Sequence, residues 1–403
     1  MRNTLAMIVA AAAMLLGGGC AGGSSSTRNA APQPTGEPIV LGLTNQEGLA
    51  GGSWPEFRQA AEAAVKYVNT ELGGVQGRPL KLVTCVTNGT PEGSAKCANT
   101  ILEQRPLVVL GGADIGTEGS MSIYTRANMP YLGGAPLGFP EMSAPNSVQW
   151  AGYAFSGIPA MAAHAADELH AKRVVIVHPE LPGTSEFIAA LARPVLGARG
   201  VTDVRLLGSD VRQPDKTALV TAAAQTKPDA VIVIDAGAGC MSYLQAHAAL
   251  APTTSLLITG NCLEGGILAA AGSTAEGVYT TDEYVYQTEP DNADTKIFTK
   301  ALHDYAPADM RVTAFAATGF AGVINIYRTL KNLPADRLDS ATILATLKSA
   351  KDSPSFLSHP FTCDGRFRVA PAICNGAVRV LQVKGGKLLA VTDWLEAGVP
   401  PSH

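Results

Sequence analysis

Ile39-Val40-Leu41-Gly42-Leu43-Thr44, then Ser53-Trp54-Pro55-Glu56, then Gly73-Gly74-Val75-Gln76-Gly77-Arg78-Pro79-Leu80 is the stretch that decides the fold. An aliphatic run comes first and predicts a strand over 39–43. Ser53 and Glu56 then read as a capping box with a proline in the first helical turn. Behind it Phe57, Ala60, Ala61, Ala64, Val65 and Val68 recur at helical spacing, so 55–72 carries one apolar face. A glycine-rich turn leads to a second aliphatic run at 80–84. Strand, crossover helix and strand in this order predict a parallel β-α-β unit.

Working outward, the alternation continues with helices at 91–104 and 117–128 and strands at 107–110 and 131–133. After 149–155 a second set begins, with helices at 159–171, 184–198, 215–226 and 241–249. Its strands are expected at 173–178, 203–207, 230–235 and 255–259. Both sets read as doubly wound α/β units. The tail differs, with helices at 292–305, 312–331 and 340–350 and a β-rich segment over 361–395. There Lys384-Gly385-Gly386-Lys387 is a hairpin turn between 378–383 and 388–392.

A chain of 403 residues is too long for one core, so two domains are expected. The net charge of −4 provides no basic field for phosphates, and nucleic acid is not an expected partner. Histidines stand singly at 164, 170, 178, 247, 303, 359 and 403, without an i, i+4 pair, so neither a metal nor another cofactor is expected. There is no G-x-S-x-G elbow and no phosphate loop, and Gly237-Ala238-Gly239 lacks the third glycine of a dinucleotide fingerprint. Catalysis has no support in these residues, and the chain is not expected to be an enzyme.

The N-terminus places Arg2 before the apolar run 5–16 and then Gly17-Gly18-Gly19-Cys20, the order of a secretory signal over 1–20, too short to span a bilayer. Small residues before Cys20 resemble the lipobox of bacterial lipoproteins, in which the thiol is acylated, although Leu16 lies one place early. The alternative is an ordinary signal peptide cut elsewhere. The Gly-, Ser- and Pro-rich segment 21–37 reads as a flexible tether. Export and anchorage to the outer face of the cell membrane through Cys20 are therefore expected.

Setting Cys20 aside leaves six of the seven cysteines. Locality pairs Cys85 with Cys97, Cys240 with Cys262 and Cys363 with Cys374, one of fifteen connectivities open to six cysteines. Metal binding is the rival reading, but no CxxC is present.

In their order, these segments resemble the type I periplasmic binding proteins of the leucine/isoleucine/valine-binding group, which serve ABC importers. The resemblance rests on the opening unit, on Val108 to Gly112 through Ser122-Ile123-Tyr124 to Met129-Pro130-Tyr131, and on Asp210, Asp215 and Lys227 to Val231. It also rests on Ala275 to Tyr279 as a return hinge and on Ala316 to Ala321. It implies two lobes joined by a three-strand hinge: 37–152 plus 282–356, and 153–281 plus 357–403. The implied role is capture of an amino acid or other small carboxylate by a monomer that delivers it to a membrane permease. A ligand sensor signalling to a membrane partner is the alternative.

The resemblance also implies the site. Asp114, Ile115, Gly116 and Thr117 lie where the family holds a carboxylate, with Ile115 or Gly116 in place of its serine. Ala135 keeps a carbonyl role, and Leu137 replaces a threonine. Pro179 to Gly183 replaces the usual aromatic, and near Asn261 and Cys262 the nearest acid is Glu264. Trp54 either stacks on an apolar ligand or packs on its own lobe. Asp114 is a ligand contact or an N-cap. Asp235 either contacts the ligand or ends a strand in a turn, and Tyr284 either lines the hinge cleft or lies in solvent.

Overall fold

The opening unit forms as expected. β1 (Ile39–Gln46) pairs in parallel with β2 (Leu80–Thr87), Ile39 opposite Leu80, and α1 (Pro55–Glu71) crosses between them. The computed structural model describes residues 32–49, 52–181, 183–235, 239–264 and 266–396; the leader, Cys20 and most of the tether lie outside the described residues. The capping box does not form. Ser53 Oγ accepts from the Gly48 amide, and the cap position is Trp54. Glu56 turns into the protein, where Arg311 Nη2 donates to it at 2.8 Å. A charge-assisted bond to another element outcompetes the local cap.

The first sheet adds β3 (Val108–Gly111), β4 (Tyr131–Leu132) and β5 (Ser147–Val148) in the order β2-β1-β3-β4-β5, all parallel. Its crossovers are α2 (Pro91–Glu103), α3 (Thr117–Arg126) and the short α4 (Phe139–Ser143).

The second lobe opens with α5 (Ala154–Asp167), which starts ahead of the expected position and holds Pro159 inside it. Burial of Phe155, Ile158 and Met161 in the second core overrides the proline's preference for a first turn. The sheet contains β6 (Arg173–Pro179), β7 (Asp203–Ser209), β8 (Ala230–Val233), β9 (Ser255–Ile258) and β10 (Tyr279–Asp282). Helices α6 (Thr184–Gly197), α7 (Thr217–Gln225), α8 (Cys240–Leu250) and α9 (Ile267–Ala271) connect them. Its order β7-β6-β8-β9-β10 repeats that of the first sheet, so each lobe is a doubly wound unit.

The chain then returns to the first lobe for α10 (Ala293–Tyr305), α11 (Ala314–Lys331) and α12 (Ser340–Lys348). α11 crosses α1 at Gly319, where a Cβ would meet the Phe57 carbonyl oxygen at 2.2 Å; only glycine permits this approach. Phe320 then packs among Phe298, Phe356 and Tyr67 with ring centroids 5.3, 5.5 and 6.2 Å away. Finally β11 (Ala377–Lys384), β12 (Lys387–Ala390) and β13 (Leu395–Glu396) extend the second sheet antiparallel, with the expected hairpin at Gly385-Gly386.

The part of the β-rich segment before β11 is not strand; Phe361 and Ile373 make isolated bridges, and Cys363–Cys374 closes the loop. That loop spans the lobes, with Phe361 and Cys374 in the first core and Phe367 and Ile373 in the second. The other two local disulfides also form: Cys85–Cys97 ties β2 to α2, and Cys240–Cys262 ties α8 to the 3-10 turn after β9. No helix among the described residues is long and apolar enough to cross a membrane.

Candidate binding cleft

In both sheets the strands end toward the space between the lobes, the position at which open α/β sheets bind ligands. A cavity of about 260 Å³ lies there. The first lobe contributes Trp54, Leu137, Ala314 and Phe315, while α5 contributes Ile158 and Met161. Trp54 and Phe315 lie 5.0 Å apart between ring centroids, and Phe315 stacks on Tyr153 at 5.6 Å. Three aromatic rings from three elements therefore form one wall. Elsewhere between the lobes Phe139 of the first meets Phe187 of the second edge to face at 5.1 Å.

Carboxylates line the same cavity. Asp235 follows β8 and accepts from Tyr243 Oη at 2.9 Å and Ser209 Oγ at 3.0 Å, with Lys216 Nζ at 3.6 Å. Glu264 follows β9 and accepts from three groups of the returning chain: Tyr286 Oη, Gln287 Nε2 and the Ala314 amide, each at 2.9 Å. Ala314 opens α11, so the second lobe places a carboxyl group at the positive end of a first-lobe helix. Asp282 accepts from the Tyr284 amide at 2.9 Å.

Burial raises these groups because it penalises the charged form. Asp282, with Glu264 nearby, is pushed up to about 7. Glu283 rises to about 8 although two amides donate to it, and Glu264 is also raised.

The residues expected to form the site divide into two groups. Trp54, Leu137, Asp235 and Tyr284 line the cavity, whereas Asp114, Ile115, Gly116, Thr117 and Ala135 do not. Asp114 is 1% exposed and is engaged within its own lobe by Thr87 Oγ1, Ser94 Oγ and the Gly116 amide at 3.0, 2.7 and 2.9 Å. Gly116 itself occupies the cap position of α3. Ile115 is exposed while its amide donates to Gln46, and Thr117 and Ala135 are buried. Tyr284 is buried rather than solvated. Pro179 and Leu181 line the cavity in place of an aromatic, and Asn261 lines it beside Glu264.

Phe315, Tyr153 and Glu283 escaped the sequence reading. Phe315 looks like any apolar residue of α11, and only the fold shows that its turn faces Trp54.

Two repeated sheets, three chain passages between them and a cavity at the strand ends constitute a clamp. Residues 40–387 match the Periplasmic binding protein family. The chain belongs to that family. The periplasmic binding protein fold is shared with the leucine binding protein LivK from Thermotoga maritima, at TM-score 0.69 and 18% identity over 91% of this chain and 99% of that one. A solute binding protein of an ABC transporter from R. palustris, in complex with 4-hydroxybenzoate, superposes at TM-score 0.71 and 16% identity over 90% and 98% of the two chains. A fatty acid ABC transporter substrate-binding protein from Thermomonospora curvata gives 0.74 and 16% over 93% and 96%. No curated protein matches the chain. Its role as a periplasmic binding protein is solute binding.

Proposed function

We propose that this chain is an exported, lipid-anchored receptor that closes its lobes on a small apolar solute and delivers it, as a monomer, to an ABC importer. The aromatic wall built by Trp54, Phe315 and Tyr153 in a cavity of about 260 Å³ is the observation that carries the reading. An apolar cavity of about 150 Å³ already admits benzene, so one ring or a short branched chain has room. Bodies 37–152 plus 282–356 and 153–281 plus 357–403 are the proposed moving lobes, with Cys20 as the anchor. The small carboxylates expected from sequence share such an apolar body, as do the leucine, hydroxybenzoate and fatty acid in the names of similar proteins. Catalysis is not proposed.

A thermal-shift screen of the mature chain against apolar amines, alcohols, amino acids and organic acids tests the reading. Ligand at 100 times its Kd stabilises the folded state by about 2.7 kcal/mol, a clear rise in melting temperature. A screen in which no compound shifts the transition would defeat it. For the anchor, Cys20→Ser is expected to release the chain from the membrane fraction; retention would count against lipidation.

A further inference from the structure

We infer that the solute combines its apolar body with a cationic head and carries no free carboxylate, an inference that rests on the solute-binding reading above and narrows it. In the two first-lobe loops where the family resemblance places a carboxylate, several amides are already engaged within the lobe. Ala113 donates to Asn45 Oδ1 at 3.2 Å, Ile115 to Gln46 Oε1 at 3.1 Å and Gly116 to Asp114 Oδ1 at 2.9 Å. In the next loop Ala135 donates to the Gly112 carbonyl at 3.1 Å. Leu137 and Gly138 both donate to Glu141 Oε1, the latter at 3.0 Å. Glu141 is 1% exposed, so a carboxylate of the protein itself fills this nest of amides. A ligand carboxylate entering here would find these amides already occupied, and burying it with few donors is costly.

Basic groups do not compensate. Among the described residues no Lys, Arg or His lines the cavity. Lys216 is 3% exposed and donates to Ser209 Oγ at 2.9 Å and the Asp210 carbonyl at 2.8 Å beside Asp235. Arg379, whose field reaches Asp282, does not line the cavity and donates to Glu289 and Thr288, each at 2.7 Å.

What the cavity offers instead is a set of acids that a cation can draw into their charged form. Asp235, Glu264, Asp282 and Glu283 all line it, and Trp54, Phe315 and Tyr153 present π faces that attract cations. A positive head draws the raised carboxylates of Glu264, Asp282 and Glu283 into their charged form and gains from both sets, whereas an anion beside them disfavours that form further.

Matched compounds read this directly: phenethylamine, 2-phenylethanol and phenylacetate, together with the corresponding amine, alcohol and acid on short branched alkyl bodies, titrated into the full mature chain by calorimetry. The amine is expected to bind about tenfold or more tighter than the alcohol, and the acid weakest. An acid that binds as tightly as the alcohol, or an amine no tighter than the alcohol, overturns the inference while leaving solute binding intact. If no member of any series binds, the apolar-solute reading falls and takes the inference with it.

Two variants locate the cause. Glu141→Ala frees the Leu137 and Gly138 amides and is expected to strengthen phenylacetate severalfold without helping phenethylamine. Asp282→Asn, which keeps the side chain's shape, is expected to weaken phenethylamine severalfold and leave 2-phenylethanol unchanged. Unchanged amine affinity in Asp282→Asn and unchanged acid affinity in a folded Glu141→Ala would each count against the assignment.

Discussion

The carboxylate of Glu283 accepts a hydrogen bond from the backbone amide of Tyr153 at 2.8 Å, and so joins two of the three chain passages between the lobes. The same oxygen accepts from the Gly152 amide at 2.9 Å, and the Glu283 carbonyl accepts from Ser358 Oγ of the third passage at 2.6 Å. Tyr153 is held at φ 49°, ψ −120°, an unfavourable conformation for a side chain with a Cβ. It nevertheless stacks on Phe315, so one strained residue connects the hinge with the aromatic wall.

Glu283→Ala leaves those amides without their acceptor and removes the restraint on Tyr153. The unfolding free energy is expected to fall by about 2–3 kcal/mol, measured by urea denaturation. Ligand affinity is expected to drop with it, because the Tyr153 ring loses its fixed position. Wild-type stability in the variant would show that the junction is passive.

Stability should depend on pH in a definite direction. Glu283 goes from 4.5 to about 8 on folding, Glu141 likewise to about 8 and Asp282 from 3.8 to about 7. The folded state therefore binds more protons than the unfolded state over this interval, and stability contributed by these groups is lost as pH rises. Melting temperature is expected to decrease from about pH 5 to about pH 8. Glu283→Gln should flatten that slope; an unchanged slope would remove Glu283 from the account.

Trp54→Ala tests the aromatic wall. A ring lost from a stacked set costs about 0.5–1.5 kcal/mol beyond its buried area, so affinity for the solute should fall about tenfold or more in a titration. The chain should still fold, since Trp54 is only half-buried. Unchanged affinity would return Trp54 to a packing role within its lobe.

Removing Cys240–Cys262 with a paired Cys→Ser variant is expected to cost about 2–4 kcal/mol. It should also weaken the solute, because Asn261 and Glu264 flank the pinned cysteine in the turn after β9. Mass mapping of a non-reduced digest checks the pairing first: pairs other than the three local ones would contradict it.

Gly319→Ala probes the crossing of α1 and α11. With a Cβ 2.2 Å from the Phe57 carbonyl oxygen, the helices must separate, and a loss of about 1–3 kcal/mol is expected in denaturant titration. A neutral effect would mean that the crossing yields easily.

Sequence by itself determined the alternation of strands and helices and the repeated α/β organisation, and locality pointed to the disulfide pairing that the structure contains. These are local properties: the apolar spacing of Phe57, Ala60, Ala61 and Ala64 is set within two helical turns, and each cysteine pair closes over at most 22 residues. Four of the nine expected site residues line the cavity, and three of them, Trp54, Leu137 and Asp235, stand beside strand ends or helix starts that the pattern already located.

Tertiary structure decided the rest, because long-range partners outcompete local ones. Glu56 leaves its expected cap for Arg311, and Asp114 turns to Thr87 and Ser94 within its own lobe. Glu264 reaches Ala314 across the cleft, and Phe315 meets Trp54 and Tyr153 from segments far away in the chain. A buried carboxylate takes whichever donors the closed fold brings to it, and an aromatic ring packs on whichever ring arrives. Neither outcome is encoded in the residues adjacent to it, so the hinge junction at Glu283 and the gathering of acids in the cleft became visible only once the lobes were in place.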